Sequence, residues 1–553
     1  MSVGTVGADR SVRIAVVGAG ISGLSAAHRI VQLAPQSQLA LFDAKDRLGG
    51  VLQTVHTEGY QIELSADNFI TTLPWGLDLC QCLGLADQLV QTNPAYRRTF
   101  VVHRGRLHPL PEGFLMMAPS RWWPLVVTPL LSPLGKLRAA MEYFLPARRQ
   151  EGDESLAQFA RRRFGREVYE RLIEPLVSAV YGADLEKLSL EATLGRFRQM
   201  ELQYGSLIRA MRKMRRGRSG NRGSQPPSNR HGPAPSTQDA LTPSNRDAPA
   251  PSNQDAQAPL SGNLEDAGAG QPTPPAASPE SGARYSMFVT LREGLSGLVE
   301  ALGRQLPTKA IRLQTPVQAI RRLPDGGWEL RLAGKDAGKS EMFDGVILAL
   351  PAYASAQLLT PVDSELARLL AEIPYTGTAI VAMAFDQSQV GHPLDGMGAV
   401  IPAIEKSPLL AISFSNRKYP HRAPPGKVLL RVFLGGAKRP ELLDLDDRQL
   451  REVVLAELQR LLHIQGQPCL ELVARWPASM PQYPVGHKER VAEIGRLLER
   501  WPGLALAGNA YQGIGLPDCI HRGQQAAENL LAQWGLVRQA ISAVRYNGTS
   551  LAE

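Results

Sequence analysis

The chain has 553 residues, 44% of them hydrophobic, which is enough for two or three domains with apolar cores. Its formal net charge of +9 leaves nucleic acid, an anionic membrane surface and an acidic small molecule open as partners. Four cysteines without a CxxC pair exclude a disulfide scaffold and favour a reducing compartment, so we expect a cytoplasmic protein.

The first ten residues contain no apolar core, so we expect no secretory signal. The longest apolar run lies near residues 122–131 and is shorter than the ~20 residues that a membrane-spanning helix needs. We therefore expect a protein that does not cross a membrane.

The first predicted elements alternate between strand and helix. Arg13–Val17 has the pattern of a buried strand, Ile21–Leu33 that of an amphipathic helix and Gln38–Phe42 that of a second strand. Strand, helix and strand within ~30 residues form the unit that binds dinucleotides in α/β proteins.

Three glycines, Gly18, Gly20 and Gly23, connect the first strand to the first helix. In this motif the first glycine makes a tight turn, the second lets the backbone approach a pyrophosphate, and the third lets helix and strand pack closely. The start of the helix, at Ile21 and Ser22, then offers free N–H groups to the phosphates.

An acidic residue and a second pair of glycines follow. Asp43 ends the second strand, where a carboxylate can accept hydrogen bonds from ribose hydroxyls. Gly49 and Gly50 let the backbone pass close to the diphosphate again, and Arg47 can balance its charge. Because this continuation resembles that of the monoamine oxidase-like flavoproteins, it favours FAD over NAD.

The middle of the chain predicts a mixture of helices and strands. We expect helices at 154–180 and 288–304, where apolar residues recur at helical spacing. Shorter apolar runs predict strands, namely VQAIRR (317–322), WELRL (328–332), FDGVILAL (343–350), TAIVAMAF (378–385) and KVLLRVFLGG (427–436).

Residues 215–284 differ from everything around them, because they are rich in Pro, Ser, Gly, Asn and Gln and repeat the motif PSN(R/Q)DA. Such a segment cannot bury enough apolar area to offset its conformational entropy, so we expect a disordered insertion that is dispensable for catalysis. We interpret the basic residues that precede it as a solvated linker and not as a membrane-binding patch.

A second motif stands near the carboxyl end of the chain. A strand at 504–507 leads into Gly508 and Asn509, then into a turn with Gly513 and Gly515, and then into a helix. We expect Asp518 to cap this helix, whose amino terminus would stabilise negative charge on a reduced flavin.

The segment GNAYQGIGLPDCI (508–520) closely resembles the C-terminal signature of the protoporphyrinogen oxidase family. Further segments are similar to that family along nearly the whole chain outside the insertion: RRTFVVHRGRLHPLPEG (97–113), ESLAQFARRRFGREVYERLIEPLVSAVYGADLEKLSL (154–190), TLREGLSGLVEAL (290–302), IPYTGTAIVAMAF (373–385), SNRKYPHRAPPG (415–426) and MPQYPVGH (480–487).

The resemblance implies an FAD-dependent oxidase of haem biosynthesis that converts coproporphyrinogen III or protoporphyrinogen IX to the porphyrin. Six electrons leave the macrocycle, so a two-electron flavin acts three times and passes the electrons to oxygen. No catalytic side chain is assigned, no metal is needed, and the expected partners are a porphyrinogen and O2 without nucleic acid.

The implied architecture is an α/β (α+β) fold with a Rossmann-like FAD-binding domain, a mixed-sheet substrate domain, a helical domain and the disordered insertion. We assign 11–75, 285–350 and 491–540 to the FAD-binding domain, 76–214 to the substrate and helical domains, and 351–490 to the second part of the substrate domain.

The residues expected to bind the cofactor come from all parts of that domain. They are Gly18, Gly20, Ile21, Ser22, Gly23, Asp43, Arg47, Gly49, Gly50, Val317, Gly508, Asn509, Gly515 and Leu516. Candidates for the substrate pocket lie at 350–353, 397–400 and 431–436, where ordinary strand core is an equal alternative.

The chain departs from the family's pattern in one place that faces the substrate. Where the family has Gly-Pro, this chain has Ser65 and Ala66, and some relatives have arginine at the position of Asp67. No contact to a substrate carboxylate is therefore carried over at this point.

Two alternatives stay open for the function: another enzyme of the superfamily, such as an amine oxidase or a carotenoid desaturase, and a non-catalytic FAD-bound scaffold.

We expect at most peripheral membrane contact, through Trp122, Trp123, Leu125, Val126 and Val127 between Arg121 and Lys136, with a helical-domain core as the alternative. The positive charge slightly favours coproporphyrinogen III, which has four propionates, over protoporphyrinogen IX, which has two.

Overall fold

The computed structural model describes residues 11–150, 152–220 and 288–537. Its strands, in chain order, are β1 (Arg13–Val17), β2 (Gln38–Phe42), β3 (Thr54–Thr57), β4 (Tyr60–Glu63), β5 (Phe69–Ile70), β6 (Leu89–Gln91), β7 (Thr99–His103), β8 (Arg106–Pro109), β9 (Phe114–Leu115), β10 (Ala118–Pro119), β11 (Phe288–Leu291), β12 (Ile311–Arg312), β13 (Val317–Arg322), β14 (Trp328–Leu332), β15 (Ser340–Phe343), β16 (Gly345–Leu348), β17 (Tyr375–Asp386), β18 (Gly398–Val400), β19 (Leu409–Phe414), β20 (Lys427–Gly435), β21 (Leu470–Pro481) and β22 (Leu504–Leu506).

The α-helices, in the same order, are α1 (Ile21–Leu33), α2 (Trp75–Cys82), α3 (Trp123–Val127), α4 (Pro133–Ala140), α5 (Leu156–Phe164), α6 (Arg166–Val168), α7 (Glu174–Tyr181), α8 (Leu190–Tyr204), α9 (Leu207–Gly220), α10 (Ser296–Gln305), α11 (Ala352–Leu359), α12 (Ser364–Ala371), α13 (Ser415–Lys418), α14 (Asp447–Leu462), α15 (His487–Leu498) and α16 (Leu516–Ala532).

A parallel sheet brings together strands from distant parts of the chain. Its order is β12-β2-β1-β16-β22, and every neighbouring pair is parallel. The strands β1 and β16 are buried because helices cover both faces of the sheet. The sequence prediction of β1, α1 and β2 is confirmed to the residue.

The second large sheet has seven strands in the order β21-β17-β20-β19-β18-β7-β8. The sheet is mixed, since β7 and β18 pair in parallel while all other neighbouring strands of this sheet pair antiparallel. Side chains of β20 alternate between the two faces of this sheet. Leu430, Val432 and Leu434 face the α14 side, whereas Leu429 and Phe433 face Tyr60, Ile62 and Leu64 in and after β4.

The helices α3 to α9 form a separate apolar core that packs against β7 and β18. The predicted helical stretch at 154–180 is confirmed, although a π-helical turn at Tyr169–Ile173 separates α6 from α7. Helix α5 begins with a capping box in which Ser155 and Gln158 satisfy each other's backbone N–H groups.

Three sequence predictions about element bounds are wrong. Residues 288–304 are not one helix, because β11 pairs with β5 and β6 before α10 begins at Ser296. Asp518 is not the N-cap of α16, because Gly515 takes that position and Asp518 is the third residue of the helix, from which its carboxylate accepts from the N–H of Gly515. Residues 215–220, assigned to the insertion, continue α9 to Gly220.

The remainder of the predicted insertion, from residue 221 onward, lies outside the described residues. Among the residues that the structure describes, no helix is both long enough and apolar enough to cross a lipid bilayer.

Candidate functional site

Two positions of the first turn must be glycine, because the backbone of neighbouring residues leaves no room for a side chain. Gly18 has φ +103°, and a Cβ at this position would lie 2.6 Å from the carbonyl oxygen of Ala349. A Cβ on Gly23 would lie 1.8 Å from the carbonyl oxygen of Gly18, so α1 can pack on the turn only without a side chain there. These two contacts agree with the roles predicted for the first and third glycines.

Gly20 differs from both neighbours, because a Cβ added to it would meet no atom within 4 Å. It is the N-cap residue of α1 and makes no side-chain cap, so the first N–H groups of the helix face open space. This opening is where the motif places a pyrophosphate, and the residues present fit that group.

The loop with Gly49 and Gly50 lies directly against this opening. The N–H of Gly49 donates to the carbonyl of Ala19 at 2.8 Å, and Gly50 lies against the Cα of Gly20. Arg47 uses its guanidinium to hold the loop, since it donates to the carbonyls of Leu48, Gly50 and Leu52. Arg47 therefore shapes the loop and also places positive charge beside the opening.

Asp43 lies at the carboxyl end of β2, as predicted. Its Oδ2 accepts from the N–H of Ala19 at 2.7 Å and its Oδ1 from that of Lys45 at 2.8 Å. The backbone carbonyl of Asp43 accepts from the N–H of Thr315. This hydrogen bond brings Val317, which is half-buried and two residues further on, to the same edge of the sheet.

The C-terminal motif lies next to the first one. Gly508, with φ +130°, follows β22 and lies near the carbonyl of Leu350. Helix α16 then begins at Leu516 behind the Gly515 cap, and the carboxylate of Asp518 in its first turn accepts from the N–H of Gly515.

A third glycine contact joins the two motifs. A Cβ on Gly523 would lie 2.1 Å from the carbonyl oxygen of Ser22, so α16 packs directly on the first turn of α1. The fourteen residues predicted to bind one dinucleotide thus converge at the carboxyl edge of the parallel sheet, although they come from both ends of the chain.

Two residues that the sequence reasoning missed hold the C-terminal loop in place. The hydroxyl of Tyr483 donates to the carbonyl of Asn509 at 2.5 Å, and His487 Nε2 lies 3.1 Å from the carbonyl of Tyr511. The two rings stack with centroids 4.2 Å apart. Both residues lie in the quoted segment MPQYPVGH, so a signal was present, but nothing in it showed a contact to the loop.

His487 is 1% exposed, and burial lowers its pKa to about 4, although the Tyr511 carbonyl favours the charged form. The ring is therefore neutral at pH 7, and Nε2 must bear the proton that it donates to Tyr511.

A cluster of buried charges lies where the family's substrate-facing segment was expected. Asp67 Oδ2 is 3.0 Å from Lys418 Nζ, 3.3 Å from Arg431 Nη1 and 3.6 Å from Arg422 Nη1. Burial alone would raise the pKa of Asp67, but Lys418, Arg431 and Arg422 hold it well below its usual range. Asp67 is therefore a permanent carboxylate.

This charge cluster assembles from four elements. Asp67 lies between β4 and β5, Lys418 ends α13, and Arg422 lies in the following 3-10 turn. Arg431 projects from β20 toward the cofactor region and also donates to the carbonyl of Ser65 at 2.5 Å. Of these residues, the sequence analysis singled out Ser65, Asp67 and the range with Arg431, whereas Lys418 and Arg422 lie in the family-like segment SNRKYPHRAPPG, to which it gave no role.

The other pocket candidates have mixed positions. Leu350 lies between Gly18 and Gly508, at the junction of the two motifs. Met397 and Ala399 are buried in the large sheet around β18, which is the strand-core alternative. Within the described ranges, no group of three or more His, Cys, Asp or Glu side chains could hold a metal ion.

Comparison with known proteins gives a family match over most of the chain. The model of the flavin containing amine oxidoreductases matches residues 21–531.

Individual relatives agree with this match. The chain is 34% identical to the coproporphyrinogen III oxidase of Bacillus subtilis (strain 168), over 95% of this chain and 98% of that protein. It is 30% identical to the chloroplastic protoporphyrinogen oxidase of Nicotiana tabacum, over 93% and 84% respectively. A crystal structure of a candidate protoporphyrinogen oxidase from Exiguobacterium sp. 255-15 superposes with a TM-score of 0.75 at 28% identity, covering 95% of this chain and 99% of that one.

Proposed function

This chain belongs to the flavin containing amine oxidoreductases, and from this premise we propose that it oxidises a porphyrinogen of haem biosynthesis to the porphyrin. It is a flavin-dependent oxidoreductase with FAD as its cofactor. The observation that supports the substrate class is similarity over nearly full length to proteins named for porphyrinogen oxidation.

The fourteen residues of the two motifs are the proposed FAD site. The free N–H groups of α1 beside Gly20 would hold the pyrophosphate, with Gly49 and Gly50 on its other side. The amino terminus of α16, behind Gly515 and Leu516, would stabilise negative charge on the reduced ring. When bound, FAD accepts two electrons at a time from the macrocycle, and the protein supplies orientation and exclusion of water.

The six-segment division of the chain belongs to the same proposal. Segments 11–75, 285–350 and 491–540 build the FAD-binding domain, and the parts between them build the substrate and helical domains around it.

Within the proposed substrate class, coproporphyrinogen III is the preferred substrate and O2 the electron acceptor, with three O2 reduced to three H2O2 for each macrocycle. Identity and coverage are higher for the bacterial coproporphyrinogen III oxidase than for the plant protoporphyrinogen oxidase. The net charge of +9 also attracts the substrate with four carboxylates more strongly than the one with two.

An amine oxidase is the less favoured function. Such enzymes use an aromatic cage at the flavin, but Tyr511 is 7% exposed and belongs to the apolar core on one face of the parallel sheet, together with Ala352, Leu370 and Ile494. A cyclohexylamine oxidase of Brevibacterium oxydans shares the fold, and at 15% identity this likeness concerns the fold alone.

The deciding experiment mixes the purified holoenzyme anaerobically with coproporphyrinogen III, protoporphyrinogen IX and a primary amine while flavin absorbance is followed. We expect bleaching by the porphyrinogens, faster with coproporphyrinogen III, and a preference that weakens as salt rises. Gly20→Val tests the cofactor site alongside: we expect it to purify without FAD, because a Cβ added there meets no protein atom within 4 Å yet would lie at the proposed pyrophosphate position. Bleaching by the amine alone would support the amine oxidase, and no bleaching at all the scaffold.

We further propose peripheral membrane contact through the helical region. Trp122 and Leu125 from the predicted patch pack into the core, while Trp123, Val126 and Val127 are exposed. The structure adds four exposed apolar residues along α4 and the following turn, which are Leu134, Leu137, Met141 and Phe144. Leu134 and Phe144 are 79% and 77% exposed, which is unusual for side chains of this size.

Helix α9 adds positive charge beside this apolar patch. Glu142 accepts from the N–H groups of Leu207 and Ile208 and so fixes the start of α9 next to Met141. Arg209 lies over the ring of Tyr143, and Arg212 and Lys213 are exposed. We propose that these basic residues take part in the contact instead of forming a solvated linker, since apolar and basic side chains close together suit an anionic lipid surface.

Sedimentation with anionic and neutral vesicles tests this contact. We expect binding to anionic vesicles that falls with salt and is lost in the variant L134S/F144S. The matched control is Leu202→Ser, an exposed apolar residue on α8. Equal binding of the wild type and the double variant would remove the patch from the proposal.

A further inference from the structure

The charge cluster around Asp67 contains more positive than negative charge. Lys418, Arg422 and Arg431 all approach one carboxylate oxygen, Asp67 Oδ2, within 3.6 Å. The second carboxylate, Glu63, is 3.6 Å from Arg422, but it already accepts from Thr54 Oγ1 and the N–H of Leu295 at 2.9 Å each. Even with both carboxylates ionised, three cations face two anions.

Several donors of these cations have no acceptor. Nε of both Arg422 and Arg431 makes no hydrogen bond within the described part of the chain, and Nη1 of each has only the ion pair with Asp67, although both side chains are at most 1% exposed. A buried donor without a partner is costly, and more so when it is charged. The cluster therefore has donors and charge to offer to a further acceptor.

The protonation of the neighbours increases this excess. Burial raises the pKa of Glu63, and Arg422 offsets this only in part, so the cluster discourages ionisation of its second carboxylate. Asp67, by contrast, is always ionised because its pKa is held well below the usual range against the effect of burial.

The cluster is accessible at one edge and continuous with the proposed FAD site. The side chains of Asp67 and Lys418 keep 14% and 15% exposure, and Ala66 beside them is exposed. Glu63 accepts from Thr54, which follows the loop of Gly50. The Lys418 edge therefore opens on the same side of the large sheet that faces the cofactor region.

We propose that Lys418, Arg422 and Arg431 form an anion-binding site that accepts a delocalised, carboxylate-like anion at its Lys418 edge. The identity of the anion rests on the proposed function, and two sources supply this chemistry: a propionate of the porphyrinogen, or the negatively charged ring of the reduced flavin. In both cases the anion compensates buried positive charge that the protein itself leaves unmatched.

The test compares Lys418→Met with Lys427→Met in the FAD-loaded enzyme. Lys427 is a matched control on the same sheet, because its ion pair with Asp386 is exposed. If the anion is a propionate, Lys418→Met raises the KM for coproporphyrinogen III roughly tenfold or more with little change in kcat, since a charged hydrogen bond is lost. If it is the reduced ring, a tenfold loss of its stabilisation lowers the flavin potential by about 30 mV.

Lys418→Arg keeps the charge and should restore the wild-type value in either case. Thermal unfolding shows whether Lys418→Met is folded, and Arg431→Lys gives a second variant with reduced donor capacity. Unchanged KM and unchanged potential in both folded variants would overturn the proposal.

A measurement without turnover separates this proposal from the proposed function. The holoenzyme is titrated with sodium propionate, with chloride at equal ionic strength as the reference, and flavin absorbance is followed. We expect a saturable change in the wild type that is weakened roughly tenfold in Lys418→Met and not in Lys427→Met. An absent change in the wild type, together with an unshifted potential in Lys418→Met, would overturn the anion site even if porphyrinogens are oxidised. A saturable change without porphyrinogen oxidation would instead refute the proposed function.

Discussion

Two buried ion-pair clusters in this molecule have opposite hydrogen-bond balances. In the helical region, Arg163 pairs with Glu142 and Glu201, and all three side chains are fully buried. Every nitrogen of Arg163 donates, with further bonds to the carbonyls of Leu145, Pro146 and Gly205. Around Asp67, two equally buried arginines leave Nε without an acceptor among the described residues, and their Nη1 atoms reach Asp67 as ion pairs at 3.3 and 3.6 Å without a hydrogen bond.

The contrast separates a structural role from a binding role. Glu142 also accepts from Ser206 Oγ and the first N–H groups of α9, so its cluster ties the turn after α4 to α5, α8 and α9 and needs nothing more. A network in which every member is satisfied makes the fold rigid and specific. A network with unmatched donors costs stability, and such a cost is usually associated with function.

The largest effect on stability is expected in the satisfied cluster. Arg163→Met leaves Glu142 and a share of Glu201 buried without their cation, and breaking a buried pair in this way costs about 3–5 kcal/mol. The midpoint of urea unfolding measures the loss. Arg166→Met is the control, since its i,i+4 pair with Glu170 is exposed on the arginine side and contributes about 0–1 kcal/mol. A similar loss in both variants would contradict the structural role of the cluster.

The second prediction concerns His487, a buried group with one satisfied and one unmatched nitrogen. Burial lowers the pKa of its ring to about 4, whereas the unfolded chain has a pKa near 6.5. Because the folded state binds the proton less readily, its contribution to stability is complete above about pH 6.5 and is lost as the pH falls toward 4. The loss amounts to about 3 kcal/mol over this window.

His487→Gln removes this pH dependence while an amide N–H can still donate to the Tyr511 carbonyl. We expect the difference in unfolding free energy between wild type and variant to change by about 2.5 kcal/mol from pH 7 to pH 4.5. Other buried histidines, such as His28, have lowered pKa values in both proteins, so only the difference is informative. A pH-independent difference would mean that the pKa of His487 is the same in the folded and the unfolded chain.

The sequence predicted the cofactor region far better than the Asp67 cluster. Gly18, Gly20 and Gly23 act within one short turn, so their steric roles follow from local spacing. The contacts of Asp67 and Ser65 with Lys418, Arg422 and Arg431 join residues 351 to 366 positions apart. No local pattern encodes such contacts, and a basic run such as SNRKYPHR is exposed in most proteins.

The wrong prediction at 288–304 has a related cause. The segment TLREGLSGLVEAL has apolar residues at helical spacing, but Phe288–Leu291 finds strand partners on both sides in β5 and β6. Tertiary pairing of this kind overrides a local helical pattern. The family resemblance identified the segment without indicating which part of it is a strand.

The smallest effect on stability is expected for Lys418→Met, in the unmatched cluster. Removing one partner of a buried pair is normally costly because the other charge stays uncompensated. Asp67 keeps Arg422 and Arg431 within 3.6 Å in this variant, so no charge is left without a partner. Burial lowers the pKa of Lys418, as do Arg422 and Arg431, while Asp67 opposes them, so the fold on balance disfavours the ammonium charge that the variant removes.

We therefore expect the unfolding midpoint of Lys418→Met without added ligand to be equal to or above that of wild type, within about 1 kcal/mol. Saturating propionate should reverse the order, since a ligand that binds only the folded wild type adds stability by mass action. Urea unfolding of both proteins in propionate and in chloride measures this crossing. If Lys418→Met loses as much stability as Arg163→Met under both conditions, the two clusters have the same structural role, and the unmatched donors of Arg422 and Arg431 indicate no ligand.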